Sequence, residues 1–336
     1  MREPTGHLRP AAALGGATAL LALAVLASLA VGSSAIGPGT VVHALVADDG
    51  STAATVVRTS RLPRTLLGLL VGAALGLAGA LLQALTRNPL ADPGLLGVNA
   101  GAAAAVVVGV ALLGAAGPAA QLPAAVLGAG LATLVVAVLG SRGRGGEVPV
   151  RLALAGAAVS AALGAVVSGL VLARPDTFDS YRNWSIGALA GRDPSVLATC
   201  APLLAVGIAL GLSLARPLDA LALGEHSGRA LGVHVGRVRA GTLVAATLCA
   251  GGATAAAGPV GFVGLAVPHA ARVLVGPSQR ALLPLCAVLA PTLLLAADVV
   301  GRVVARPGEI EVGIVTAVLG APVFLALVRR RRPVRL

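Results

Sequence analysis

The chain has 336 residues, 57% of them hydrophobic and only 11% charged, with a mean hydropathy of +0.93 and a formal net charge of +12. A water-soluble domain carries about 25% charged residues, so a soluble enzyme or nucleic-acid-binding fold is excluded and a polytopic, all-helical membrane protein is expected. In that class the positive excess reads as anchoring of one face at the membrane surface, and no nucleic acid is called for.

Ten apolar stretches of about 20 residues each are expected to span the bilayer. They lie roughly at 11–34, 65–85, 95–115, 120–140, 151–173, 195–215, 238–257, 259–275, 281–300 and 311–328. The first follows MREPTGHLRP and is too long for the 7–15-residue core of a signal peptide, so it reads as a retained span. Placing the N-terminus inside puts 17 of the 25 arginines in the cytoplasm, all except Arg58, Arg61, Arg64, Arg174, Arg182, Arg192, Arg302 and Arg306. Most acids (Asp48, Asp49, Asp176, Asp179, Asp193, Glu309 and Glu311) then fall in outer loops. Both termini are therefore expected in the cytoplasm of a multi-pass plasma (inner) membrane protein. The expected organisation is one transmembrane domain over 1–336. It comprises a cytoplasmic start (1–10), six spans (11–215), a cytoplasmic coupling segment (216–239), four spans (238–328) and a basic tail (329–336).

The segment from Ala215 to Ala240 is a polar island among these spans. Leu221, Leu223, Ala230, Leu231 and Val235 recur there among Asp219, Glu225, His226, Arg229, Arg237 and Arg239. Gly224 and Gly232 divide it into two short amphipathic pieces, too polar to cross a bilayer and too patterned for a slack loop. It reads as a docking surface, against the plainer reading of a solvated connector. The halves before and after it hold five spans each; an odd number reverses direction, which is the arithmetic of an inverted repeat.

The chain contains no Lys, so a Walker A phosphate loop is excluded and no ATPase site of its own is expected. Ionisable groups inside the spans are nearly absent, with Asp298 near the outer end of the ninth and His269 in the eighth, too few for the relay of an ion-coupled secondary transporter, which is the alternative from a different class. Energy is expected from a partner. Cys200, Cys249 and Cys286 lie in apolar stretches without metal spacing and read as buried thiols, and lone His269 reads as a packing residue.

The most specific stretch is RLPRTLLGLLVGAALGLAGALLQALTRNPLADPGLLGVNAGA, residues 61–102. Its Arg61, Pro63, Arg64, Gly72, Ala73, Leu75, Gly79, Gln83, Asn88, Pro89, Leu90, Ala91, Pro93, Leu96 and Gly97 resemble the signature of FecCD-type permeases. These are membrane subunits of ABC importers for iron–siderophores, haem and cobalamin. GPVGFVGLAVPHAARVLVG (258–276), LAADVVGR (295–302), EIEVGIVTAVLGAPVF (309–324) and the island's LGE and LGV (223–233) match the same family in the same order.

The resemblance implies a ten-helix fold in two inverted five-helix halves, like cobalamin-importer permeases, and no cofactor on this chain, with ATP and Mg on a partner. The implied partners are two ATPase subunits, a substrate-binding protein, a second permease chain (identical or homologous) and membrane lipid. The implied cargo is a ferric siderophore, with haem or cobalamin as alternatives. For ATPase coupling it implicates Leu223, Gly224, Glu225, Leu231 and Gly232. For docking of the binding protein it implicates Arg61, Arg64 and Arg302, against a plainer reading as lipid-phosphate anchors. For a cytoplasmic gate it implicates Asn88 and Leu90, with Pro149 and Val150 in the loop before span five; a plain helix-ending turn is the alternative at Asn88-Pro89.

Overall fold

The computed structural model describes residues 9–32, 36–47, 49–114, 117–141, 148–174, 178, 181–182 and 184–329. The expected basic tail beyond Arg329 lies outside the described residues, as do Arg2, Arg142, Arg144, Asp48, Asp176, Asp179 and the side chain of Pro149. The α-helices are α1 (Pro10–Ala30), α2 (Pro38–Val46), α3 (Thr52–Val56), α4 (Leu62–Thr86), α5 (Val98–Leu113), α6 (Pro118–Ser141), α7 (Val148–Ala173), α8 (Pro194–Ser213), α9 (Ala215–Ala222), α10 (Glu225–Ala230), α11 (Val235–Ala257), α12 (Val263–Val275), α13 (Gln279–Val304) and α14 (Val312–Arg329). Among the described residues, seven helical stretches are long and apolar enough to cross a membrane, and α5, α12 and α14 add three shorter apolar ones. The ten expected spans are all present as α1, α4 to α8 and α11 to α14.

Small residues set how these helices pack. In α4, Gly68, Gly72, Gly76 and Gly79 share one face, which suits the lipid phase, where association rests on close approach rather than on expulsion of water. A Cβ at Gly72 would strike the backbone of Pro291, and one at Gly76 would lie 2.9 Å from the Cys286 carbonyl, both on α13. A Cβ at Gly79 would strike the backbone of Gly264 at the start of α12. Helix α4 is therefore the buried centre of the bundle, packed against α8, α11, α12 and α13.

The pairing pattern recurs between the halves. Helix α5 packs on α6 and α7 as α12 packs on α13 and α14; α4 meets α12 and α13 as α11 meets α5 and α6; and α4 meets α11. Helices α5 and α12 have only 16 and 13 residues. At 1.5 Å per residue 13 residues reach about 20 Å, short of the roughly 30 Å hydrocarbon core. Irregular connections make up the difference. The Pro93–Leu96 3₁₀ turn packs on α7, while Phe262, at φ 68°, lies against Gly320 in the middle of α14. Irregular backbone at this depth is tolerated because protein surrounds it.

Two boundaries differ from expectation. Residues 35–64, expected as an outer loop, contain α2 and α3, and α3 runs through a π turn (Val57–Arg61) into α4 as one helical stretch, Thr52–Thr86. Pro63 does not break it, because it follows directly on the π turn, where the wider winding already interrupts the i→i−4 ladder that the missing N–H would have joined. The eighth span begins at Val263 rather than at 259, because Gly258 (φ 78°) and the turn that follows end α11.

Candidate coupling and docking sites

One end of the bundle gathers the end of α4, the helices α9 and α10, the start of α11 and the α12–α13 turn. The island forms two helices as its glycine breaks predict. Gly224 (φ 106°) separates α9 from α10, and Gly232 (φ 81°) turns the chain toward α11; these backbone angles strain any residue with a Cβ. Helix α9 buries Ala215 and Leu218 against the spans. Leu223 and Leu231 are 68% and 64% exposed, an apolar edge that the chain itself leaves uncovered. Glu225, Leu223 and Leu231 all line one cavity of about 670 Å³, with Arg87, Arg272 and Arg280 on its other walls. Gly232 borders a neighbouring hollow with Arg229 and His234. Glu225 accepts hydrogen bonds from Arg239 and, at 3.4 Å, from Arg229, which fixes α10 to the start of α11.

The island is strapped to two spans. Asp219 of α9 accepts from the backbone N–H of Gln279 at 2.6 Å and from Ser278 Oγ at 3.1 Å, so a carboxylate from the island caps the N-terminus of α13. Arg87, which ends α4 in the left-handed conformation, donates to the Leu221 carbonyl at 3.0 Å. These contacts tie α9 to α4 and α13, which pack against each other.

Arg272, expected among the surface anchors, lies inside α12 at 2% exposure. Its Nη2 donates to Gln83 Oε1 at 3.1 Å, while Nε and Nη1 have no partner among the described residues. Its burial was not legible in the sequence, because the partner residue sits 189 positions away on α4.

The opposite end corrects the expectation of free rim cations. Arg61 and Arg302 are 5% and 2% exposed, and both are used inside the chain. Arg61 donates to the carbonyls of Leu29 and Ala30, and Arg302 to those of Ser28 and Val31, so the two guanidinium groups cap the C-terminus of α1 and oppose its dipole. Asp298 pairs with Arg302 and, at 2.7 Å, with Arg64; Arg64 reaches Glu309 at 2.7 Å as well. Glu309, the partly exposed member, borders the surface and links Arg64 directly to an accessible group. Desolvation forced this arrangement: an arginine held among apolar helices needs carboxylates or helix-end carbonyls as partners. Neither the Asp298–Arg64 pair nor the cap on α1 is visible in local spacing.

At the expected gate, Asn88 Oδ1 accepts from the Leu90 N–H at 2.9 Å, closing a tight turn. The cap of the following 3₁₀ turn is Asp92, which accepts from Gly94 N at 2.8 Å, rather than Asn88. Leu90 is exposed. Pro149 and Val150 belong to the first turn of α7 rather than to a loop, and Val150 is exposed. The Pro93–Leu96 turn packs on α7, which brings the two expected gate segments to neighbouring elements without a recorded contact between Leu90 and Val150. Cys200, Cys249 and Cys286 are buried free thiols, and His269 is also buried.

With this geometry in hand, the similarities of the chain are specific. It is 48% identical, over 322 residues and 96% of both chains, to the ferric enterobactin transport system permease protein FepD of Escherichia coli (strain K12). It is 37% identical, over 93% of each chain, to the probable siderophore transport system permease protein YfiZ of Bacillus subtilis (strain 168). Its fold is similar to an inward-facing conformation of a putative metal-chelate type ABC transporter, with a TM-score of 0.82 and 28% identity, covering 96% of this chain and 100% of that one. The FecCD transport family matches residues 20–330. A ten-helix, multi-pass permease of the inner membrane, the chain belongs to the FecCD transport family.

Proposed function

We propose that the chain is the permease subunit of a binding-protein-dependent ABC importer that carries a ferric siderophore into the cytoplasm. The observation that carries the cargo class is the 48% identity to a ferric enterobactin permease along nearly the whole of both chains. The island end faces the cytoplasm, in keeping with the arginines gathered there. Two ATPase subunits dock there, one per permease chain. Leu223 and Leu231 enter a groove on the ATPase while Glu225 and the glycine turns hold their helix in place. ATP binding moves α9, and the Asp219 and Arg87 straps pass that movement to α13 and α4. The transporter then shifts between inward- and outward-facing populations, driven by the difference in partner contact between the two states.

A second permease chain covers α7. This helix is the least buried of the long ones, with 11% of its apolar window covered, and its open side carries Ala157, Ala158, Ala161, Ala162 and Ala165. Such a surface suits another helix at close range. The binding protein docks at the other end, where its acids compete with Glu309 for Arg64; such pairs set register and on-rate. Asn88, Leu90, Pro149 and Val150 guard the cytoplasmic mouth. The test is uptake in proteoliposomes that contain the chain, its ATPase and its binding protein. ATP-dependent entry of a ferric siderophore is expected, and entry driven by a proton gradient without any ATPase would overturn the reading.

A further inference from the structure

At the end of the bundle away from the island, the buried arginines are balanced from within. Arg302 has the Asp298 carboxylate and two carbonyls of α1, and Arg61 has the carbonyls of Leu29 and Ala30. Arg272, 2% exposed in α12, has no carboxylate partner among the described residues. Gln83 Oε1 takes one of its N–H groups, and Nε and Nη1 are buried without a partner. A guanidinium does not shed its proton in a protein, so a full charge sits there short of an anion. Its place in the last turn of α12 suits the helix dipole but gives those two nitrogens nothing to bond.

Arg272 forms part of the wall of the 670 Å³ cavity beside the island, and an anion can reach it from there. Gln279, the first residue of α13, lines the same cavity and is 7% exposed. Its Nε2 donates to the Pro277 carbonyl at 3.4 Å, which leaves Oε1 buried without a donor. The two carboxylates of the lining are already engaged, Asp219 with the start of α13 and Glu225 with Arg229 and Arg239. Five lining residues are arginines, so the cavity is positive. Leu223 and Leu231, given above to ATPase docking, are exposed, whereas Arg272 and Gln279 are buried. Docking over the leucines covers the cavity's rim and leaves this pair to another ligand.

The unpartnered groups specify what fits. Two N–H donors on a cation ask for an anion with several acceptor oxygens, and the Gln279 carbonyl asks for an O–H on the same ligand. A carboxylate, a sulfate and the phosphodiester of a lipid carry no such hydrogen at neutral pH. Inorganic hydrogen phosphate always carries at least one.

We propose that Arg272 and Gln279 form the floor of a binding site for free hydrogen phosphate. Its anionic oxygens accept from Nε and Nη1 of Arg272, and its P–OH donates to Gln279 Oε1. Bound there, the ion joins α12 to α13 where Asp219 straps the island, so occupancy stiffens this end of the bundle. The site stands on the chain's own charges and is independent of the cargo. Under the permease reading, ATP hydrolysis by the docked partner releases the same ion beside the cavity.

The full-length chain in phosphatidylcholine nanodiscs is dialysed against radiolabelled phosphate, with sulfate as competitor at matched ionic strength, and its thermal midpoint is followed in parallel. Saturable binding is expected, with sulfate roughly tenfold weaker because its bare oxygen meets the Gln279 carbonyl. Gln279→Leu should still bind phosphate but lose that preference. Arg272→Gln should lose saturable binding and, in phosphate-free buffer, unfold no earlier than the parent, because the unbalanced charge is gone. Absence of saturable binding, equal binding of sulfate by the parent, or unchanged binding in Arg272→Gln would overturn the site. If Arg272→Gln folds poorly, sulfate discrimination retained by Gln279→Leu overturns it alone. In phosphatidylglycerol nanodiscs the phosphate affinity should be the same; loss of binding there assigns the cavity to a lipid headgroup and overturns the free-ion reading. ATP-driven chelate uptake is scored in a separate assay, so a failed titration leaves the permease reading intact.

Discussion

Asp219 and Gln279 are 60 residues apart in sequence, yet the Asp219 carboxylate accepts the Gln279 backbone N–H at 2.6 Å. A side chain from the polar island thus supplies the cap of the ninth span. Removing it by Asp219→Ala is expected to cost about 1 kcal/mol of stability, the usual worth of an N-cap. The functional loss should be larger. ATP hydrolysis by the complete transporter should persist while chelate uptake falls at least tenfold, with Asp219→Asn in between. Wild-type uptake in Asp219→Ala would mean that movement reaches α13 by another route.

Leu231→Arg and Glu225→Arg probe the docking edge. Leu231 is 64% exposed, so Leu231→Arg should leave membrane insertion and thermal stability unchanged. Glu225→Arg also loses its links to Arg229 and Arg239, partly exposed pairs of small individual worth. Both variants should lower co-purification of the ATPase and uncouple hydrolysis from uptake. Retention of full uptake by both would remove the docking role.

At the opposite end the arginines should separate by burial. Arg302→Ala leaves Asp298 short of a buried partner and uncaps α1, a change of about 3–5 kcal/mol for breaking a buried pair. Thermal unfolding in detergent should show it as a large drop. Arg64→Glu should weaken association of the binding protein more steeply at low salt than at high salt. Docking that is indifferent to this reversal would assign Arg64 to the internal network alone.

Backbone contact between α4 and α12 makes Gly79 sensitive. A Cβ there meets the Gly264 backbone, so Gly79→Ala must push the two helices apart. Gly15 of α1 has nothing within 4 Å of the same added atom. Purified Gly79→Ala should be destabilised by roughly 1–3 kcal/mol, as overpacked cores are, whereas Gly15→Ala should match the parent.

Glu311, just before α14, has its carboxyl pushed above the ordinary glutamate range, chiefly by burial and against the pull of Arg64. A carboxylate whose folded-state pKa is raised penalises the folded state once it is ionised, and the penalty is relieved as pH falls through the raised value. Glu311→Gln should therefore raise the thermal midpoint at neutral pH and leave it unchanged at acidic pH, flattening the profile between. A lower midpoint at neutral pH would show that the charge is needed.

Much of the architecture was legible because bilayer thickness and backbone hydrogen bonding leave a helical chain few choices. The ten apolar runs in order, the two helices of the island and their glycine turns all follow from local composition. The misreadings share one cause. Arg61, Arg272 and Arg302 read as surface charges because a sequence window shows a residue's neighbours and not its partners. The distant partners are the carbonyls at the end of α1 and Gln83 on α4, whereas Asp298 is only four residues from Arg302 on α13.

The sequence by itself thus determined the class, the span count, the absence of a Walker A loop and the segments that carry the family resemblance, since each depends on local composition or spacing. Only the tertiary structure decided which charges are spent inside the chain, how Asp219 and Arg87 strap the island to α13 and α4, and that Arg272 shares a cavity with Leu223 and Glu225 of the island. These are contacts between distant segments, fixed by where glycine faces allow backbones to meet and by the cost of leaving a buried charge without a partner.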